Sequence, residues 1–574
     1  MKPHALALAL ALALALALAP GLTMGAAGAT PPVKPFSWDN ATIYFLLTDR
    51  FNNGNPTNDH AYGRKDDAAP LRGYLGGDFA GITAKIRAGY FNELGVDAIW
   101  ITPPVEQIHG ATDEGSGKSY GFHGYWARDF TRIDANLGTE ADLHELVESA
   151  HAKGIRVILD VVMNHTGPVT AQDPVWPADW VRTGPNCTYK DAASTIDCTL
   201  VSNLPDIRTG AVKPVKLPPA LIAKWKAEGR DKQELATLEA FFKRTGYPRT
   251  PRYYLIKWHA DWIRTYGFDG LRADTVKHTE PDVWRDLNKV AASAFEDWKK
   301  AHPDQRIDDA PFYSTAEVYN YTIANGRKFD LGGGTIVDYF DQGFHSMINF
   351  GMKSDASQEL DALFSSYAAA LQGPLQGVSV LNYVSSHDDG EPFDAARLRA
   401  IDAGTRLLLA PGAAQIYYGD ETARLLDVAA ASGDAKLRSF MNWDELAHNA
   451  PRGSAGATTA ATAATAAGVG VADVRAHWAR LGRFRQAHIA VGAGSHQMLQ
   501  AAPYVFKRIY EKGEVRDRVV VALGLPATTP AAIPVRGVFN DGQTVRDAYT
   551  GASAVVANGV VTFAVAAPVA LISY

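Results

Sequence analysis

A (β/α)₈ barrel carrying an irregular insertion after its third strand and an antiparallel β domain at its C-terminus is what this sequence predicts. Three observations lead there. Eight short apolar runs alternate with helical patterns, which implies right-handed βαβ units and a parallel sheet. The third of these runs, Ile155 to Met163, is almost wholly apolar, as a strand buried on both faces must be. After the barrel pattern stops, alternating apolar runs separated by Gly, Pro and Asn turns take over.

Taken in order, residues 1–29 read as a signal peptide. Lys2 precedes an unbroken Leu/Ala run from Ala5 to Ala19, Pro20 breaks it, and Ala27-Gly28-Ala29 is a small-residue cleavage site. The run falls short of the ~20 residues a membrane span needs. The expected product is exported, to the periplasm or the medium, with no membrane attachment after cleavage and with a monomeric state. Residues 30–166 and 253–490 are assigned to the barrel, 167–252 to the insertion and 491–574 to the all-β domain.

Ile43–Leu47 is the first strand, and the pattern around Thr83–Leu94 is helical. Val96–Ile101 is the second strand. Thr139 opens a helix with Asp142 at its capping-box position, Leu143, Leu146, Val147 and Ala150 share a face, and Gly154 ends it. Residues 167–252 are rich in Pro, Thr and Asp and hold Cys187 and Cys198, the chain's two cysteines. In an exported protein these read as a disulfide closing a short loop. The helix Tyr253–Tyr266 feeds the fourth strand, and Phe312–Val318, Ser346–Phe350, Val378–Val384 and Ala414–Tyr418 complete the eight. Ser454 to Gly470 is a low-complexity Ala/Thr/Gly stretch, read as a surface loop. Val474–Arg485 is the last helix. Pro503–Phe506, Val515–Leu523, Val555–Phe563 and Ala567–Ile572 are the strands beyond it.

The net charge of −6 leaves no broad basic surface for nucleic acid. Twelve Trp and 23 Tyr suit a sugar cleft, but equally an ordinary core. The informative residues lie where strands end, since barrel sites sit at the C-terminal face. Gly267-Phe-Asp-Gly-Leu-Arg-Ala-Asp-Thr-Val-Lys-His278 places Arg272 and Asp274 two apart, on one side of a strand. A guanidinium beside a carboxylate keeps it ionised, as a carboxylate nucleophile requires; taken alone, the pair reads equally well as an ion pair closing a strand. The third strand ends in Asp160-Val-Val-Met-Asn164-His165, the fifth in Thr315-Ala-Glu317, and the seventh in Ser385-Ser-His387-Asp388-Asp389. So many like charges on one face are costly unless they are used.

These four segments resemble the four sequence motifs of the α-amylase family of glycoside hydrolases, in the family's order. Asn203-Leu-Pro-Asp206-Ile matches a fifth. Glu106-Gln-Ile-His-Gly110, His123-Gly-Tyr125-Trp126, the run from Asp134 to Leu143 and the run from Leu408 to Glu421 are similar to those of the periplasmic α-amylases of Gram-negative bacteria. The resemblance spans about residues 40–500. It implies Asp274 as nucleophile, Glu317 as acid/base and Asp388 as the carboxylate that binds the sugar 2- and 3-hydroxyls. It implies substrate contacts from Tyr125, His165, Arg272, Lys277, His278 and His387, with Tyr125 stacking on the ring. One departure is Ala316, where many relatives carry Gly.

The resemblance also implies Ca²⁺, held by Asn164, Asp206 and the backbone carbonyl of His278 and fastening the insertion to the barrel; hard oxygen donors suit that ion. Asn53, Asn55, Asn58, Asp59, Gly76 and Asp78 resemble a second calcium loop, with Asn53 standing where Asp is usual. That stretch reads also as an Asn-rich turn cluster. The implied activity is retaining, endo-acting hydrolysis of α-1,4-linked glucans. A transglycosylase, a cyclodextrinase or an exo-glucosidase of the same family, or a glucan-binding protein without activity, are the alternatives; the intact Asp274, Glu317 and Asp388 speak against the last.

Overall fold

The computed structural model describes residues 36–113, 115–452 and 469–574. The expected signal peptide lies outside them, as does most of the Ser454–Gly470 stretch. Eight parallel strands close into a barrel: β1 (Thr42–Leu46), β2 (Ala98–Ile101), β3 (Arg156–Val161), β4 (Gly270–Ala273), β5 (Tyr313–Ala316), β6 (Ser346–Asn349), β7 (Ser379–Tyr383) and β8 (Ala413–Tyr417). Each pairs with its sequence neighbours, and β8 pairs back onto β1. All eight are buried along their length, which is why their sequences carry few charged residues.

The helix α1 (Glu140–Ala152) keeps its capping box: the Thr139 hydroxyl accepts from the Asp142 amide, and the Asp142 carboxylate accepts from the Thr139 amide. This satisfies two of the amide donors that a helix start leaves unpaired. The helical pattern expected over Thr83–Leu94 is two helices, Phe79–Arg87 and Tyr90–Leu94, interrupted at Gly89. The helix that feeds β4, α4 once those of the insertion are counted, spans Pro251–Tyr266 and ends at Gly267. Gly267 has φ +80°, and the Trp298 ring fills the space a Cβ would need. Only glycine meets both demands.

The insertion after β3 is not irregular throughout. It contains α2 (Pro219–Ala227) and α3 (Asp231–Thr245). Leu238, Phe241 and Phe242 form the buried stripe of α3, a helical spacing that the Pro- and Thr-rich surroundings obscured. The Cys187–Cys198 disulfide is formed, with a Cα–Cα distance of 4.9 Å. Beyond the barrel, six antiparallel strands run in the order Ser495–Gln500, Tyr504–Lys512, Val515–Leu523, Val569–Ser573, Thr544–Asp547, Ser553–Val555. The single strand expected over Val555–Phe563 is split. Asn558 and Gly559 take positive φ, and Val560–Thr562 pairs with Ala532–Pro534 in a separate small sheet. Among the described residues no helix is long and apolar enough to cross a membrane.

Candidate active site

The C-terminal ends of β3, β4, β5 and β7 bring the predicted carboxylates together. Ala273 and Ala316 are register partners in the β4–β5 pair, so Asp274 and Glu317 are the next residues on two neighbouring strands, which run ~4.8 Å apart. Asp274 is held by its amide, which donates to the Val161 carbonyl at 2.9 Å.

Arg272 is the hub. It is fully buried, and its Nη1 donates to Asp274 Oδ1 at 2.7 Å and to Asp160 Oδ1 at 3.0 Å. Its Nη2 lies 3.1 Å from Glu317 Oε2. One guanidinium thus bridges three carboxylates, an arrangement its planar fork of donors suits. Glu317 also accepts from the Thr275 amide at 2.7 Å. Burial pushes the Glu317 carboxyl up to about 8; Arg272 opposes this, while Asp274 and Asp388 add to it. Glu317 therefore carries a proton at neutral pH beside a carboxylate paired with arginine, the division of labour a general acid and a nucleophile need.

Asp160, near the end of the third strand, has no role legible in the sequence, and the structure gives it one. It accepts from Trp100 Nε1 at 3.0 Å, from the Tyr125 hydroxyl at 2.8 Å and from Arg272. Burial, with Asp274 nearby, raises its carboxyl to about 7 against the pull of Arg272. The clue was an Asp at the C-terminal end of a strand that is otherwise apolar after Arg156.

Tyr125 stacks on His387, with ring centroids 5.4 Å apart. His387 Nε2 lies 3.1 Å from Asp388 Oδ2. Burial, then Arg438 and Arg272, hold the His387 imidazole far below its ordinary range, so it is neutral. Asp388 is the open member of the trio, its side chain 42% exposed. Arg438, from the loop after β8, binds it directly; no motif pointed to that residue.

His165 and His278 each bond a backbone carbonyl. His165 Nε2 bonds the Tyr125 carbonyl at 3.0 Å, so the imidazole holds the tyrosine backbone. The His278 ring donates from Nδ1 to the Thr195 carbonyl at 2.9 Å and is buried. It anchors the disulfide loop. Lys277 sits between the rings of Tyr189 and Tyr319, at 5.4 and 5.2 Å from their centroids. Both rings are about half exposed, at 49% and 48%, and neither was singled out from the sequence.

The residues expected to hold calcium come together in part. The Ile207 amide donates to the Asn164 carbonyl at 2.7 Å, and His165 and Asp206 form an isolated β-bridge. Asp206 is buried. Its carboxyl is pushed up to about 8 by burial and by Glu280 and Asp197, against Arg182, whose Nε lies 3.1 Å away. The three carboxylates Asp206, Glu280 and Asp197 outnumber the two guanidiniums, Arg182 and Arg208, that act on Asp206, which fits an added cation. At the second location the Asn53 amide nitrogen reaches both Asp59 oxygens, at 3.1 and 3.0 Å. Asp78 accepts from the Gly54 and Asn55 amides at 3.0 and 2.8 Å. The buried Oδ1 atoms of Asn53 and Asn58 have no hydrogen-bond partner. Gly76, at φ +88°, leaves room that a Cβ would take from Asn53 and Asp59. Orphaned amide oxygens beside carboxylates are what an oxygen-ligated ion would satisfy. Among the described residues no three His, Cys, Asp or Glu form a metal-binding group; both sets draw mainly on amide and carbonyl oxygens, which such a group does not include.

The α-amylase catalytic-domain family model matches residues 45–194. The periplasmic α-amylase of Escherichia coli is 35% identical over 560 residues, covering 87% of this chain and 74% of that protein. The chain belongs to the α-amylase family. A cyclomaltodextrin glucanotransferase of Geobacillus stearothermophilus is 29% identical over 429 residues, 73% of this chain and 53% of the relative. Among solved structures, an Anoxybacillus α-amylase superposes with a TM-score of 0.61 at 22% identity, covering 94% of this chain and 99% of that one. This α-amylase family member is a glycoside hydrolase, and its barrel with a C-terminal β domain agrees with that neighbour.

Proposed function

We propose that this chain is an exported, endo-acting α-amylase that hydrolyses internal α-1,4 bonds of maltodextrins and starch with retention of configuration. The observation that carries the reading is the single buried Arg272 guanidinium spanning Asp274 and Glu317 on adjacent strand ends, with Glu317 pushed up to about 8. Asp274 attacks the anomeric carbon as the bond to the leaving oxygen breaks, and Glu317 delivers its proton to that oxygen. The glycosyl ester on Asp274 is then cleaved by water, whose proton returns to Glu317. Two carboxyls on neighbouring strands suit the ~5–5.5 Å gap of a retaining pair. Asp388, open to the cleft, binds sugar hydroxyls, and Tyr125 offers a ring face. The exposed Tyr189 and Tyr319 rings beside Lys277 give the leaving-group side an apolar wall.

Ca²⁺ belongs to the reading. Asn164, Asp206 and the His278 carbonyl would hold one ion, and Asn53, Asn55, Asn58, Asp59, Gly76 and Asp78 a second. Bound there, the ions supply fixed positive charge that ties loops to the barrel. Export is supported by the N-terminal sequence and by the name of the E. coli relative.

The test is maltoheptaose blocked at its non-reducing end. An endo-acting enzyme cleaves it to shorter blocked products, whereas an exo-acting one leaves it intact. The glucanotransferase likeness supports a second reading, transfer to sugar acceptors; cyclic or lengthened products from unblocked maltoheptaose would favour it.

A further inference from the structure

Asp388 does not stand alone in the cleft. Arg438 binds its Oδ1, and the Nε of the same guanidinium donates to the His387 carbonyl at 3.0 Å. One planar group so grips two consecutive residues. Arg438 Nη1 pairs with Asp434 Oδ2 at 2.7 Å, and Asp434 Oδ1 pairs with Arg72 Nη2 at 2.9 Å. The Arg438 carbonyl in turn accepts from the buried Arg50 Nε at 2.8 Å. Charges therefore alternate along Arg72, Asp434, Arg438 and Asp388, joining the loop after β1 to the loop after β8 and ending on the most open carboxylate of the site.

An ion pair that only closed two loops would not need to end on an Asp whose side chain is 42% exposed. An exposed aspartate left to itself samples its rotamers, and ordering it on substrate binding costs free energy. We propose that Arg438 is a positioning residue for the reaction: it presents the Asp388 carboxylate in one orientation, and Asp434 and Arg72 hold Arg438 in place. The proposal rests on the reading of Asp388 as a substrate-binding carboxylate. Asp388 is faced by Arg438, Arg272, Asp434, His387, Glu317 and Tyr125. The protein packed around the cleft raises its carboxyl despite that opening, and Arg438 is the largest influence pulling it down, ahead of Arg272. Removing Arg438 raises it further, so the acidic limb of the pH–rate profile moves to higher pH.

The experiment is kcat/KM on maltoheptaose from pH 4 to 8 for wild type, Arg438→Ala, Arg438→Lys, Asp434→Asn and Asp388→Asn. Arg438→Ala is expected to lose about 100-fold in kcat/KM, the scale of removing one preorganised charged donor, with the acidic limb raised by about one pH unit or more. Arg438→Lys restores the limb but only part of the rate, because an ammonium lacks the planar fork. Asp434→Asn loses less rate and does not raise the acidic limb, because the Asp434 charge itself pushes the Asp388 carboxyl up. If Asp388→Asn keeps a tenth of wild-type activity, the reading of Asp388 itself fails. If Asp388→Asn is inactive while Arg438→Ala stays within threefold of wild type, the positioning proposal is overturned. A rate loss with the acidic limb unmoved assigns Arg438 a purely structural part and overturns it too. Should Arg438→Ala not fold, Arg438→Gln, neutral and closer in size, decides by the same two readouts.

Discussion

Replacing Glu317 by Gln removes the proton donor and, by the same physics, relieves a strain. The folded state holds the Glu317 carboxyl at about 8 against an ordinary value of 4.5, chiefly by burial. Between those two values the unfolded chain has released a proton that the folded chain keeps, so wild-type stability falls as pH rises through this window. Each pH unit inside it costs about 1.4 kcal/mol. At pH 7 the accumulated penalty has a ceiling on the order of 3 kcal/mol. Gln is neutral at every pH, and its carbonyl can still accept from Arg272 and the Thr275 amide. Glu317→Gln should therefore lower kcat by at least 10²- to 10⁴-fold, the usual share of a general acid/base, while raising Tm at pH 7 by roughly 1–3 °C. The gain should vanish near pH 4, where the wild-type carboxyl is protonated folded or unfolded. Calorimetric scans of both proteins at pH 4, 5.5 and 7 check this. A Tm difference independent of pH, or a loss of Tm at pH 7, would refute the reasoning.

Asp274→Asn should also abolish hydrolysis with the fold intact by circular dichroism, and activity within tenfold of wild type would remove it from the nucleophile role. A chelator should lower Tm and activity together, with added Ca²⁺ restoring both, because a ligand bound only by the native state stabilises it by mass action; an unchanged melting curve in metal-free protein would count against either calcium set. Cys187→Ser with Cys198→Ser should cost roughly 2–3 kcal/mol or less and leave kcat within about threefold; a larger fall in kcat would mean the disulfide loop supports the chemistry itself.

Most of the barrel was legible because parallel strands buried on both faces are mainly apolar: Ile155–Met163 departs from that pattern at Arg156 and Asp160, and Val378–Val384 at Ser379 and Asn382. The carboxylates were legible because their positions at strand ends are fixed by the same pattern. Arg438 was not, since its partner Asp388 lies 50 residues earlier and nothing in a loop sequence records that contact. The carbonyl contacts of His165 and His278 were not legible for a related reason. Whether an imidazole turns to the cleft or to a backbone carbonyl depends on the tertiary placement of Tyr125 and Thr195. The α3 helix shows the opposite case: its apolar spacing was present, and local composition outweighed it.

The stereochemistry of the first product tests the central claim most directly. Attack by Asp274, followed by water arriving with the help of Glu317, inverts the anomeric carbon twice. Proton NMR of maltoheptaose cleavage, read in the first minutes before mutarotation, should therefore show the α anomer appearing first. A single displacement would need a wider carboxyl gap of ~6.5–9.5 Å to admit water, which adjacent strand ends bridged by Arg272 do not favour. Initial appearance of the β anomer would contradict the account.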